Sequence, residues 1–276
     1  MDTQNEKDAK ITKYVDSLTE DDQIYVIRGN IKAFKYISYP SEKVQLAAVK
    51  QDGLALQWIN NPSKEIQLTA IKQNGLALQW IDNPSKEMQY AAIEENPLAI
   101  KYISHPSEEM KFIAVTGDTY AIKFIDYASE ELKLVAVTQD GESIQYISYP
   151  SEDVKLAAVK QNGYAIDYIK DPSEDVKLAA VKQYGYVIRS IDDASEEIKF
   201  AAVKQNGKAI EFINCPSKEL QLASLWKFKA RKYVTYGLEL PTIYYKRIHD
   251  DTSETPLKKN LSKIKKYSDI NYFFEF

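Results

Sequence analysis

The sequence predicts an all-α, right-handed α-solenoid of about ten 22-residue helix–turn–helix repeats, closed by a C-terminal helical cap. Three observations predict it. A Pro-Ser or Ala-Ser dipeptide recurs with its serine at Ser41, Ser63, Ser85, Ser107, Ser129, Ser151, Ser173, Ser195 and Ser217, and every step is 22 residues without insertion or deletion. A fixed period of this length is the signature of stacked supersecondary units. Helix breakers are scarce, with 9 glycines and 10 prolines in 276 residues, which favours helix. The third observation is a set of invariant small and branched ladders inside the unit, of which the alanine at position 8 is the clearest.

We number each unit from its serine. The copy from Ser151 to Pro172 reads SEDVKLAAVKQNGYAIDYIKDP. A weaker copy runs from Thr19 to Pro40, so the chain divides into an N-terminal capping helix at 1–18, a solenoid at 19–225 and a basic C-terminal cap or tail at 226–276. The serine is the N-cap of the first helix, where its hydroxyl accepts from an orphan backbone N–H, and the preceding proline stops the previous element. Acidic residues at positions 2 and 3, such as Glu152 and Asp153, suit the positive end of the helix dipole. This helix is expected to run about eleven residues, to the Lys-Gln-Asn string.

Glycine follows at position 13 in Gly53, Gly75, Gly141, Gly163, Gly185 and Gly207, but Pro97 and Thr119 hold the same place. Proline cannot take positive φ, so a left-handed cap is not obligatory there. The Asn or Asp at position 12 reads instead as the N-cap of a second helix of about seven residues, such as Tyr164 to Lys170. Helices this short do not persist alone; stacking must hold them. Position 8 is alanine from Ala48 to Ala202, position 9 is Val or Ile, position 19 is isoleucine from Ile37 to Ile213, and position 18 is mostly aromatic, with Ser190 the exception. On a helical wheel, positions 4, 7 and 8 form one apolar arc and positions 6 and 9 a second one on nearly the opposite side, which predicts a first helix sandwiched between its own second helix on one side and neighbouring repeats on the other.

The string LAAVKQNG followed by A-[LI]-x-[YW], seen in residues 154–168 and 176–188, resembles an uncharacterised family of α-helical tandem repeats with LAAVKQNGxALxY-type units, a domain of unknown function. The resemblance covers about residues 19–225 and departs in its Pro-Ser junction and its C-terminal 50 residues. It implies a helical repeat fold and assigns no activity. Its association with giant viruses, protists and some bacteria brings in, by analogy, a viral or phage inhibitor of a host complex.

The residue inventory points away from catalysis. There are two histidines, His105 and His249, and one cysteine, Cys215, so no disulfide framework or Cys-based metal site forms within the chain. The glycines are single and periodic, which is not a phosphate-cradling loop. The expectation is no enzyme, no metal and no cofactor. The start of the chain is polar and carries no apolar run, so no leader or membrane span is expected and a cytoplasmic protein is.

Candidate binding surfaces are what the repeat leaves free. The consensus breaks in the middle, at Glu94, Glu95 and Pro97, and again at Asp118 one unit later. Exposed tyrosines, an interface-favoured type, are expected at Tyr120, Tyr164 and Tyr186 on the second helix and at Tyr127 and Tyr149 beside it. Position 5 carries a lysine stripe, Lys111, Lys133, Lys155, Lys177 and Lys199, and the tail carries Lys258, Lys259, Lys263, Lys265 and Lys266. Residues 1–216 hold 24 Lys/Arg against 33 Asp/Glu, and residues 217–276 hold 12 against 7. The expected function is a non-catalytic protein-binding module with another protein as partner. The alternative is a nucleic-acid binder using the lysine stripe and the basic tail.

Overall fold

The computed structural model describes residues 4–224. The chain divides into two units after Leu225, and the described residues all belong to the first. The tail lysines 258–266, and Trp226 and Phe228 expected to cap the array, lie outside them.

The first unit is an α-solenoid. An α-helix, Gln4–Asp16, precedes the array. Glu20–Gly29 and a 3₁₀-helix at Ile31–Tyr36 form the first, weaker repeat. From Glu42–Gln51 with Gly53–Trp58 to Glu196–Gln205 with Gly207–Phe212, every repeat is a ten-residue α-helix followed by a six-residue 3₁₀-helix. A further helix starts after Ser217, whose hydroxyl accepts from the Leu220 N–H at 3.2 Å. From Glu20–Gly29 onward each α-helix packs on the next α-helix, and each 3₁₀-helix on the next 3₁₀-helix, while Gln4–Asp16 packs on Ile31–Tyr36. No strand occurs among the described residues.

The second element is therefore shorter and tighter than expected: Gly163–Tyr168 in 3₁₀ geometry instead of seven α-helical residues at Tyr164–Lys170. Its ends explain this. The Asn162 side chain accepts from the Tyr164 N–H at 3.0 Å, the cap expected at position 12. The Ile169 N–H already donates to the Ile166 carbonyl at 3.0 Å, an i to i−3 closure that leaves no room for another turn. Left-handed backbone occurs at position 21, not at the glycines, with φ between 49° and 54° in Asn61, Asn83, Tyr127, Tyr149, Asp171, Asp193 and Cys215. In these repeats that one residue turns the chain into the next serine cap.

Positions 4, 8 and 9 of the α-helix line the core, as Val154, Ala158 and Val159, all fully buried. Position 9 thus joins the face expected for 4 and 8, while positions 6 and 7, such as Leu156 and Ala157, are half-buried between neighbouring helices. The sandwich reading is corrected accordingly: the helix has one buried face and two flanks that meet adjacent repeats. Ala165, Ile166 and Ile169 complete the core from the 3₁₀ side. In the repeat before, position 15 is Ser143, buried with its hydroxyl unpartnered. An unsatisfied buried hydroxyl costs about 1–3 kcal/mol, so Ser143→Ala is expected to raise stability by about 1 kcal/mol in urea unfolding. Lower stability in the variant would contradict this account of the site.

Two polar devices join consecutive repeats. The first is a glutamine staple at position 11. Gln161 accepts from the Gly141 N–H at 2.7 Å and donates to the Gln139 carbonyl at 3.2 Å. Gln205 does the same toward Gly185 and Gln183, at 2.8 Å each. The second runs through the caps: the Ser173 hydroxyl meets the Glu152 carboxylate of the preceding repeat while accepting from the Val176 N–H at 3.2 Å. Backbone groups that the short helices leave open are thereby satisfied across the repeat boundary.

Candidate partner-binding face

The 3₁₀-helices present a row of aromatic rings at position 18. Six residues of 3₁₀ helix with core residues at positions 15, 16 and 19 leave positions 14, 17 and 18 facing outward. The row holds Tyr36, Trp58, Trp80, Tyr102, Phe124, Tyr146 and Tyr168, then resumes at Phe212 after Ser190. None of these rings is fully buried, and Trp80, Tyr168 and Phe212 are 46%, 47% and 44% exposed. In sequence this position reads as one of the ladders of the fold. The signal that marks it as a surface is its neighbour: a polar or charged residue stands at 17, where a core position would have an apolar one.

The middle of the row is the most organised. Tyr120 packs edge-on against Phe124 and against Tyr146 of the next repeat, with centroids 5.5 and 4.9 Å apart. Lys123 donates to the Tyr120 hydroxyl at 2.8 Å and lies 5.0, 6.0 and 5.7 Å from the rings of Tyr120, Phe124 and Tyr146. Lys101 lies 4.8 Å from Tyr102 and 5.9 Å from Phe124. The Tyr120 hydroxyl raises the Lys123 pKa, so its charge is held firmly. Among the described residues neither lysine has a carboxylate partner within ion-pair distance.

The expected tyrosines fall into two groups. At position 14, Tyr120 and Tyr186 are part-exposed and pack against this row, Tyr186 on Phe212 at 5.8 Å, whereas Tyr164 stacks at 5.1 Å on Tyr184, the position-12 residue of the next repeat. Tyr127 and Tyr149 stand apart from it, on the turn, with 100% and 95% of their surface open. Both are left-handed, at φ 54° and 52°, a conformation that disfavours a Cβ. Their counterparts Asn61 and Asn83 tolerate it better. Tyr127→Asn is therefore expected to stabilise the protein by roughly 0.5–1 kcal/mol, read as an upward shift of the urea midpoint; an unchanged or lower midpoint would contradict strain at that residue.

The lysine stripe is engaged within its own helices. Lys111, Lys133, Lys155, Lys177 and Lys199 pair with the glutamates three residues earlier, Glu108, Glu130, Glu152, Glu174 and Glu196, at 2.6, 2.7, 3.7, 3.0 and 2.8 Å. Only 14–28% of each lysine side chain is open. Lys133 and the Ser151 hydroxyl lower the Glu130 pKa, and Lys177 and Ser195 do the same to Glu174. Where position 5 is Gln67, Gln89 or Gln221, position 2 is Lys64, Lys86 or Lys218, and the glutamine amide donates instead to the preceding proline carbonyl at 3.2, 3.1 and 2.9 Å. Gln45, with Glu42 at position 2, is the exception. This covariation within the chain is legible in the sequence and identifies the stripe as paired.

The central break is also accounted for in part by packing. A Cβ on Gly117, at position 11, would lie 2.6 Å from Cγ of Pro97 in the repeat before. Proline has no N–H to offer a glutamine staple, and its ring takes the staple's space, so the two departures are one compensated exchange. Asp118 caps the following 3₁₀-helix, accepting from the Tyr120 N–H at 2.9 Å. Glu94 and Glu95 remain exposed on the α-helix side, away from the aromatic row. On that side, open grooves run between consecutive α-helices; the one walled by Lys160, Asp175 and Lys182 over Leu156 and Leu178 measures about 460 Å³.

Among the described residues no group of three or more His, Cys, Asp or Glu side chains is gathered as a metal site would need, and no helix is long and apolar enough to cross a membrane. His105 and Cys215 are exposed on position-21 turns. Comparison with protein-family models, curated proteins and solved structures finds no match for this chain.

Proposed function

We propose that this protein is a non-catalytic, protein-binding α-solenoid whose partner lies along the 3₁₀ face. The observation that carries this reading is the row of aromatic rings, recurring repeat after repeat, that rest on the core by one side and stay part-exposed on the other. Aromatic side chains offer large contact area at small entropy cost and dominate interface energetics. Alanine, valine, isoleucine and leucine at positions 8, 9, 16 and 19 fill the buried core, and the rings lie outside it with part of their surface open.

The position-5 lysines are paired within their helices, which weakens one support of the nucleic-acid reading; the tail lysines, its other support, lie outside the described residues. The test of the leading reading is affinity capture from native extract. Wild type is compared with Trp80→Ala/Phe124→Ala/Tyr168→Ala and with a control changed on the α-helix ridge, Lys72→Ala/Lys160→Ala/Lys182→Ala. Hot-spot truncations cost about 2 kcal/mol or more each. The row variant is therefore expected to lose the captured protein by at least roughly tenfold while keeping the helical circular dichroism signal. Loss in the ridge variant with retention in the row variant would place the interface on the other side.

A further inference from the structure

The row has a spacing and a charge, and both narrow what fits it. Adjacent packed helices sit about 8–10 Å apart, so position 18 offers one ring per step of that length. A β-strand returns a side chain to the same face every two residues, about 6.7 Å, and falls out of step within two repeats. A polyproline II segment has three residues per turn and a rise of about 3.1 Å, so it returns a side chain to the same face about every 9 Å. Of these two extended conformations it is the one that keeps register with the rings. Proline-containing segments already populate this conformation, and their flat rings dock between aromatic side chains.

The charge is set by Lys101 and Lys123. Both ammonium groups lie within 6.0 Å of the Phe124 ring centroid. Both are on exposed residues, and neither is ion-paired within the described residues. They lie one repeat apart, so carboxylates three residues apart on a polyproline II segment reach them together. The paired stripe on the α-helices offers no such free cations.

We propose that the row from Trp80 to Tyr146 binds an extended acidic, proline-containing segment of another protein in polyproline II conformation, with prolines between the rings and carboxylates on Lys101 and Lys123. This rests on the assignment of the partner to the 3₁₀ face and goes beyond it in naming the partner's chemistry.

The test is a fluorescence anisotropy titration of the full chain with labelled synthetic peptides. One repeats Glu-Pro-Pro over a length that crosses four repeats; the others replace Glu by Lys, or both prolines by Gly and Ser. The Glu-Pro-Pro peptide is expected to bind at least tenfold more tightly than either. Its affinity should fall at least tenfold in Lys101→Glu/Lys123→Glu, with the thermal unfolding curve unchanged, and should weaken with added salt. No binding of that peptide, equal binding of the Lys-Pro-Pro peptide, or preference of the same face for single-stranded oligothymidylate would overturn the proposal. If the peptide fails while the row variant still abolishes capture of the native partner, the ligand chemistry is wrong and the face is right. If capture also survives, both are wrong.

Discussion

Replacing Gly75 with alanine is expected to destabilise the protein by about 3 kcal/mol, at the upper end of what overpacking a core position costs. A Cβ there would sit far inside 3.0 Å of the Ala92 carbonyl oxygen and press on Asn96 as well. That oxygen is fixed, because it accepts the Asn96 N–H at 2.8 Å at the end of the next α-helix. The clash is therefore with backbone and cannot be relieved by a rotamer. Five of the position-13 glycines meet the carbonyl of the next repeat's position-8 alanine; Gly163 does so most loosely, at 2.8 Å from the Ala180 oxygen. At these five positions glycine serves a close approach and not a left-handed cap, whereas Pro97 and Thr119 hold the same position in their repeats. Gly29→Ala is the control: nothing lies within 4 Å of its Cβ site, and the change should be neutral or slightly stabilising. Urea unfolding followed by circular dichroism separates the two, and equal midpoints would contradict the close-approach account.

The second large effect is a coupling. Gly117→Gln alone drives a side chain into the Pro97 ring, and a loss of about 2–3 kcal/mol is expected. Pro97→Gly alone leaves the space open and loosens the unfolded chain, for a loss of about 1 kcal/mol. The double variant recreates the pair seen at Gly141 and Gln161, with its 2.7 Å hydrogen bond, and should recover at least about 1.5 kcal/mol relative to the sum of the single changes. Additive effects would mean that the two departures from the repeat arose independently, and would restore the centre as a site whose purpose lies elsewhere.

Much of the fold was legible. The serine caps, the acidic first turns and the Asn or Asp cap of the second element follow from local hydrogen-bonding chemistry, and the structure has them at Ser151, Glu152 and Asn162. The second helix's type was not legible, because a six-residue segment has too few positions for 3.6- and 3.0-residue periods to differ. Position 9 was misplaced because a wheel drawn for an isolated helix ignores flanks that meet identical helices on both sides. Of the candidate site, the position-14 tyrosines were singled out from their residue type, and Tyr120 and Tyr186 are part-exposed. The larger row at position 18 was missed because an aromatic ladder reads as core when its exposure is unknown. The lysine stripe reads in sequence either as a groove or as a balance to the acidic caps of neighbouring helices; the pairs lie instead within each helix, three residues apart, and the covariation of positions 2 and 5 is the sign of them.

Partner binding is proposed for the outer side of the 3₁₀-helices, which leaves the α-helix ridges free. Hydrogen–deuterium exchange of the protein with and without its captured partner measures this division directly. Slowed exchange is predicted in the segments Pro97–Tyr102, Thr119–Phe124 and Gly141–Tyr146, with the exposed ridges of the α-helices unchanged. Protection at exposed ridge positions such as Glu94, Thr116 and Thr138, with the 3₁₀ segments unaffected, would contradict it.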